Sequence, residues 1–398
     1  MRVLHVVTHH SPDHVFGGPT RVALNLCRAL RAAGDEATVL TVGEGFEGPL
    51  PTEADGVPVK LFPARKIIPG YGFSGMTSPT MLARAGSYVR SADIVHVHMA
   101  RDLVTFPFAL QALLSRRPLV VQTHGMIDPT TVPAARIADA LGVRRVLRRA
   151  DALLYLTDAD RRGVAAVTAP ARTAPAKRLV NGVTAQERRP SRAQRGGPPV
   201  VLFLARVEDR KRPADFVAAI AAIRAVHADA RFVIAGADTD GLVARLLSTA
   251  ARLGVADALT YAGPLDHAGV LQAMRQADVY VLPSTFDPFP VSTLEALSVG
   301  VPAVITATNG LAGDVRGAGA GRVVDGRDGD PDPAVEAGDS ATAANGALLA
   351  DAVLELLEPD ANERASEAAW RLARERFSID SVTDRLRGIY ADVVAMRR

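Results

Sequence analysis

Two cations and two carboxylates form the strongest chemical pattern in the chain. Arg206 and Lys211 stand five residues apart in A-R-V-E-D-R-K-R-P, after the apolar run 200–205 and just before a helix start at Pro213. A strand end that delivers two cations beside a helix N-terminus makes an anion site, with charge-assisted bonds typically worth about 1.5–3 kcal/mol each. A basic turn is more often simply solvated. Only four of the 46 Lys and Arg residues are lysine, however, so a lysine at 211 favours phosphate over solvent.

Asp287 and Glu295 lie eight residues apart in the stretch 283–302, P-S-T-F-D-P-F-P-V-S-T-L-E-A-L-S-V-G-V-P. Apolar runs at 278–282 and 301–306 flank it, which reads as strand, Pro-rich turn, short helix and strand. Pro290 suits a first helical turn and Gly300 a stop. A carboxylate accepts two hydroxyl hydrogens at once, which fits vicinal hydroxyls of a ribose or hexose. The bland alternatives are helix-start charge for Asp287 and a solvated helix face for Glu295. The apolar P-F-P-V-S-T between them favours a ligand that needs both hydroxyl acceptors and a stacking surface.

In the first half, His9, His10, Asp13 and His14 precede Gly17-Gly18-Pro19 in a strand-to-helix loop. Glycines there let backbone approach a ligand, but the spacing is not G-x-G-x-x-G, so a dinucleotide fingerprint is absent. His96 and His98 alternate along one strand, and with His9, His124 and Asp128 they could gather round a metal. No ligand pair has helical i, i+4 spacing and strand histidines are usually satisfied core residues, so no metal site is expected. His124 differs, because with Gly125 it ends a strand, where a sheet exposes functional groups. Arg144, Arg145, Arg148 and Arg149 interleave with Val143, Val146 and Leu147, a pattern suited to an anionic membrane or an acidic acceptor as well as to a solvated face.

These residues need a scaffold of parallel strands. Strands are expected at 3–8, 36–42, 57–62, 94–98, 119–123 and 152–156, with helices at 19–33, 78–91, 105–116 and 136–150 between them. After 184–199, where T-A-Q-E-R-R-P-S-R-A-Q-R-G-G-P-P lacks apolar periodicity, strands and helices alternate again from Val200. A Gly/Asp-rich insert at 325–340 interrupts the last section and does not have calcium-loop spacing. The chain of 398 residues is long enough for two domains with a core each. Its 46 cations against 43 acids are too balanced to point to nucleic acid. The lone Cys27 excludes an internal disulfide and a multi-cysteine metal site. No apolar run approaches the ~18 residues that cross a bilayer, and the polar continuation after Thr8 does not suit a signal peptide. The expectation is a cytoplasmic protein, with peripheral contact at the inner face of the membrane left open.

Taken together, these motifs resemble the retaining glycosyltransferases of family GT4 (glycosyl transferases group 1), over nearly the whole chain. The stretch holding Asp287 and Glu295 is similar to that family's E-x7-E signature, here D-x7-E. A-R-V-E-D-R-K resembles its G-R-x-x-x-x-K phosphate motif, G-G-P-T-R-V-A-L-N-L-C-R-A-L its glycine loop, T-H-G its strand-end histidine and V-N-G-V its crossover turn. The resemblance implies an α/β fold of two Rossmann-like parallel-sheet domains facing across a cleft, the GT-B arrangement. Residues 1–183 would bind the acceptor, 184–199 would link, 200–378 would bind the nucleotide sugar, and a helix in 379–398 would cross back to the first domain.

By the same resemblance, Arg206 and Lys211 would hold the diphosphate and stabilise its charge as it leaves, with His124 near the reacting carbon. Glu295 would hold the ribose, Asp287 the sugar hydroxyls, and Phe289, Pro290 and Val291 would line the sugar. Gly263, Pro264 and Leu265 would neighbour the base, and Gly17 and Gly18 would form the glycine loop. The donor would be a UDP- or GDP-sugar acting as co-substrate, with no cofactor and no metal. The acceptor would be a carbohydrate, lipid-linked or small-molecule hydroxyl. Three departures matter: Asp287 is one methylene shorter than the usual Glu, Ala205 replaces a common Gly, and Pro290 removes a backbone donor at the sugar. An epimerase acting on the nucleotide sugar and a non-catalytic sugar-nucleotide binding protein are the alternatives.

Overall fold

The computed structural model describes residues 1–12, 18–68, 70–326 and 339–397. The chain divides into two compact units, one of Met1–Gly182 with Ile379–Arg398 and one of Val183–Ser378. Gly17, Asp13, His14 and most of the 325–340 insert lie outside the described residues.

The first unit holds an eight-stranded sheet. From one edge its strands are Ala176–Arg178, Ala152–Tyr155, Leu119–Gln122, Ile94–His98, Arg2–His10, Glu36–Gly43, Val57–Pro63 and Glu53–Ala54. All neighbours are parallel except the last pair. The second unit holds six parallel strands in the order Leu259–Gly263, Arg231–Ala235, Val200–Leu204, Val279–Leu282, Ala303–Thr306 and Gly321–Val324. Helices cover both faces of such sheets, which is why the central strands read as unbroken apolar runs. In each unit the strand order reverses beside the first strand, between Arg2–His10 and Ile94–His98 and between Val200–Leu204 and Val279–Leu282. Crevices outside the carboxyl ends at such reversals are where open α/β sheets bind ligands.

The stretch 184–199, expected as a linker, packs into the second unit. Arg189 is buried, and its guanidinium donates to the carbonyl of Gly300 at 3.2 Å and to Asn362 Oδ1 at 3.0 Å. It also lies 3.7 Å from Asp278, a carboxylate shared with Arg195 and with the Val200 N–H at 2.9 Å. Burial pulls the Arg189 guanidinium down to about 10 while Asp278 opposes that shift. The loss of apolar periodicity suggested an interdomain linker because composition does not reveal that these arginines find a buried carboxylate. Removing that carboxylate leaves a buried cation unpaired, so Asp278→Ala is expected to destabilise the second unit by about 3–5 kcal/mol in urea unfolding.

Other boundaries move for local reasons. The helix expected at 136–150 is Pro133–Ala138 and Arg144–Arg149 joined by a π-type turn, Asp139–Val143. That turn brings Asp139 inward to Arg101 at 2.8 Å and lets Gly142 sit where a Cβ would meet the Phe106 ring at 2.9 Å. The 78–91 helix breaks at Arg84 into Pro79–Ala83 and Ala85–Ser91. The helix Asp158–Thr168, which sequence reading missed, starts from a Thr157 cap that accepts from the Asp160 N–H. Among the described residues no helix is long and apolar enough to cross a membrane.

Candidate functional site

In the second unit the two central strands end side by side, and the sequence-named residues follow directly from them. Strand Val200–Leu204 runs into Ala205 and Arg206, then a single 3-10 turn, Asp209–Lys211. The carbonyl of Ala205 presses on Gly236, where an added Cβ would lie 1.8 Å away and where φ is +139°. Arg212 then takes a left-handed φ of 53° and turns the chain into the helix Pro213–Val226. Arg206 stays about half exposed, with Glu208 at 3.2 Å. Lys211 is buried, and its ammonium bonds the Asp287 carboxylate.

Asp287 reaches Lys211 from the turn after Val279–Leu282. The Gly310 N–H donates to its carbonyl at 2.8 Å, so the 308–314 segment, to which sequence reading assigned no role, anchors it. Arg210 donates to the carbonyl of Phe286 at 2.7 Å, fixing the same turn from the other side. Phe289 is buried edge-on against Phe377, with ring centroids 6.1 Å apart. Pro290 caps the helix Val291–Ser298 from outside, one residue earlier than a first helical turn. Tyr280 ties that helix start to both central strands, bonding Ser292 Oγ at 2.7 Å and the Leu204 carbonyl at 3.2 Å.

Glu295, one turn into this helix, lies 3.8 Å from the ring of His267, a largely exposed residue that sequence reading missed. Gly263, in the left-handed region at φ +71°, ends the edge strand Leu259–Gly263, and its carbonyl accepts from the Gly236 N–H at 2.8 Å. Pro264 is exposed and Leu265 half-buried just beyond it. Ser284 Oγ and Asn309 Nδ2 are buried polar atoms without a partner among the described residues. A cavity of about 250 Å³ opens at this sheet edge, lined by Arg212, Asp215, Thr285, Thr306, Thr308 and Asn345 among others. None of the sequence-named donor residues lines it.

In the first unit, His124 follows strand Leu119–Gln122 with φ at 52°, and Gly125 follows at 72°. Thr123 locks this turn by donating to Asp160 at 2.8 Å. His124 Nε2 meets His98 Nδ1 at 2.7 Å, and His98 Nε2 meets His5 Nδ1 at 2.9 Å. His5 Nε2 is 3.3 Å from the Tyr390 hydroxyl, which lies 2.7 Å from His96 Nδ1. Burial holds the imidazoles of His96, His98 and His124 below their usual range and that of His5 down to about 3, so all four are neutral. Gly18 opens the helix Gly18–Ala32 with no atom of the described residues within 4 Å of where a Cβ would stand, and Thr20 donates to the His9 carbonyl at 2.7 Å.

The histidines that gather differ from the set weighed for a metal. His5, His96 and His98 bring ligand atoms within 4.8 Å of one another, while His9 lies near Glu44 and Asp128 beside Gly163. The His5–His98 contact is a hydrogen bond, shorter than the roughly 3.3 Å that separates two nitrogens each 2.0–2.1 Å from a tetrahedral zinc. His5 escaped notice because it sits mid-strand, and its register opposite His96 appears only once the strands pair. Of the basic helix, Arg144, Arg145 and Arg149 are exposed, whereas Arg148 donates to the Thr168 carbonyl at 2.6 Å.

Comparison with known proteins adds three findings. Residues 184–342 match the family model described as glycosyl transferases group 1, and residues 17–182 match that of the glycosyl transferase 4-like domain. The chain is 27% identical to D-inositol 3-phosphate glycosyltransferase 2 of Catenulispora acidiphila, covering 93% of this chain and 92% of that protein. It is also 27% identical to GDP-mannose:cellobiosyl-diphosphopolyprenol alpha-mannosyltransferase of Xanthomonas oryzae pv. oryzae, over 77% and 78% of the two chains. Among solved structures, Anabaena Alr3699/HepE in complex with UDP and glucose superposes with a TM-score of 0.71 at 18% identity, covering 98% of this chain and 99% of that one.

Proposed function

The chain belongs to the group 1 glycosyltransferases of family GT4, with the GT-B fold, and from that premise we propose a retaining, metal-independent hexosyltransferase that moves a sugar from UDP or GDP to an acceptor hydroxyl. The observation that carries the reading is the Lys211 ammonium on the Asp287 carboxylate at the sheet reversal, with Arg206 just after the end of the central strand Val200–Leu204. A nucleoside diphosphate laid along this edge meets two cations where its bridging charge develops. GDP-mannose in the name of the Xanthomonas alpha-mannosyltransferase, and the UDP held by the superposed Anabaena Alr3699/HepE, belong to this chemical class.

In the proposed reaction the bond from the anomeric carbon to the diphosphate breaks on the same face at which the acceptor oxygen attacks. The acceptor's proton passes to the departing diphosphate. Arg206 and Lys211 stabilise the charge that grows there, the task preorganised donors perform in other sites. Asp287 and Glu295 accept hydroxyl hydrogens from sugar and ribose. Phe289, Pro290 and Val291 line the sugar, Gly263 to Leu265 neighbour the base, and Gly17, Gly18 and His124 act from the first unit. With two fixed cations on the phosphates, a divalent ion has no remaining task.

The test is an assay of purified protein against UDP- and GDP-hexoses with an acceptor panel of sugars, glycolipids and small alcohols. Transfer with retained anomeric configuration, unchanged by EDTA, is expected. Loss in EDTA that Mg²⁺ restores overturns metal independence, and a donor altered without acceptor makes the protein an epimerase.

A further inference from the structure

The buried histidines form one continuous chain of hydrogen bonds that passes through a tyrosine of the last helix. From the turn after Leu119–Gln122 it runs His124, His98, His5, Tyr390 and His96, with contacts of 2.7, 2.9, 3.3 and 2.7 Å. His5, His96, His98 and Tyr390 are fully enclosed, and Tyr390 comes from the helix Ile379–Ala395. Nothing in the proposed transfer uses His5, His98 or Tyr390.

Each neutral imidazole has one N–H and one bare nitrogen. At these distances every contact needs one donor facing one acceptor. Reversing a single bond would set two hydrogens or two lone pairs against each other without water to relieve them, so the order along the chain is all or none. Tyr390 sits at the branch. Its hydroxyl has one hydrogen, given either to His5 or to His96, and that choice is passed through His5 and His98 to His124. The outcome decides whether His124 carries its hydrogen on Nε2, directed to His98, or on Nδ1. Nδ1 has no partner among the described residues, and the His124 side chain is partly exposed.

We propose that Tyr390, acting through His5 and His98, sets which nitrogen of His124 carries the proton, making the C-terminal helix a positioning element of the active site. The role rests on the reading that His124 meets the donor sugar, since only then does the state of Nδ1 decide between giving and accepting a hydrogen bond there. Tyr390, His5 and His98 touch no substrate and are positioning residues. Partners that fix the tautomer of a metal-bound histidine typically matter by about 10–100-fold, and a loss at the low end of that range is expected here.

The test is long-range ¹H–¹⁵N NMR of full-length protein labelled at histidine nitrogen, in wild type and Tyr390→Phe. Wild type is expected to show His124 as a single tautomer. Tyr390→Phe keeps the ring packing and removes the hydroxyl, so the His124 nitrogens should move toward a mixture. Activity should fall about tenfold in kcat, with unchanged calorimetric binding of UDP or GDP. If Tyr390→Phe does not fold, His5→Asn retains a polar atom toward His98 and cuts the link to Tyr390, with the same expected result. His124 shifts in either folded variant equal to wild type overturn the proposal. Full activity of His124→Ala would instead remove the sugar-contact reading, while the nitrogen shifts of the Tyr390→Phe protein still decide whether the chain is coupled.

Discussion

Lys211→Ala protein is expected to lose transfer by about 10²–10³-fold, the range seen when one preorganised donor to a developing anion is removed. That is about 3–4 kcal/mol of transition-state stabilisation. Lys211 is buried and bonded to Asp287, so the substitution does two things at once: it removes a cation from the diphosphate and strands a carboxylate. The second effect alone costs stability, because a buried charge has lost its partner. Asp287→Asn in the Lys211→Ala background separates them. The double variant should regain melting temperature without regaining transfer, and nucleoside diphosphate should still bind weakly in calorimetry. Wild-type affinity for UDP or GDP in Lys211→Ala would sink the phosphate assignment outright.

The candidate residues of the second unit could be singled out in the sequence because they are local. Arg206 and Lys211 lie within one strand end, and Asp287 and Glu295 within one turn and its helix, so composition and spacing reported them without long-range knowledge. The parallel strands were legible for a related reason: both of their faces are buried, and a strand such as Val200–Leu204 shows that as a bare apolar run. What escaped depends on register or on distant pairing. Asn309 and Gly310 anchor Asp287 across 22 and 23 residues, and Arg189 finds Asp278 across 89. His5 looked like one more strand residue until pairing set it opposite His96, and Tyr390 lies 294 residues from the histidine it bonds. The shorter Asp287 also gains a sense that spacing could not supply. Its carboxylate meets Lys211, so under the proposed reading donor phosphates compete with Asp287 for that ammonium.

Below neutral pH the first unit should lose stability steeply. His5, His96, His98 and His124 all have folded-state pKa values depressed by burial, His5 to about 3, against 6.5 in the unfolded chain. For a base held neutral in the fold, the stabilisation is complete above pH 6.5 and is lost as pH falls from there toward the folded value, because only the unfolded chain takes up the proton. Each imidazole then contributes up to about 1.4 kcal/mol per pH unit. Four acting together in one window approach the whole of a typical domain's stability of about 5–15 kcal/mol within two to three units. His9, also lowered by burial, adds to this trend, and Asp102 and Asp160, whose carboxyls burial raises, oppose it only nearer their own range. The direct measurement is proton uptake on unfolding, from calorimetry at pH 5.5 in two buffers of different ionisation enthalpy. About three to four protons per chain are expected. Uptake near zero would mean that the imidazoles are already charged in the native protein, and a charged His98 would have hydrogens on both nitrogens, leaving no acceptor for His5 or His124 and breaking the chain that joins Tyr390 to His124.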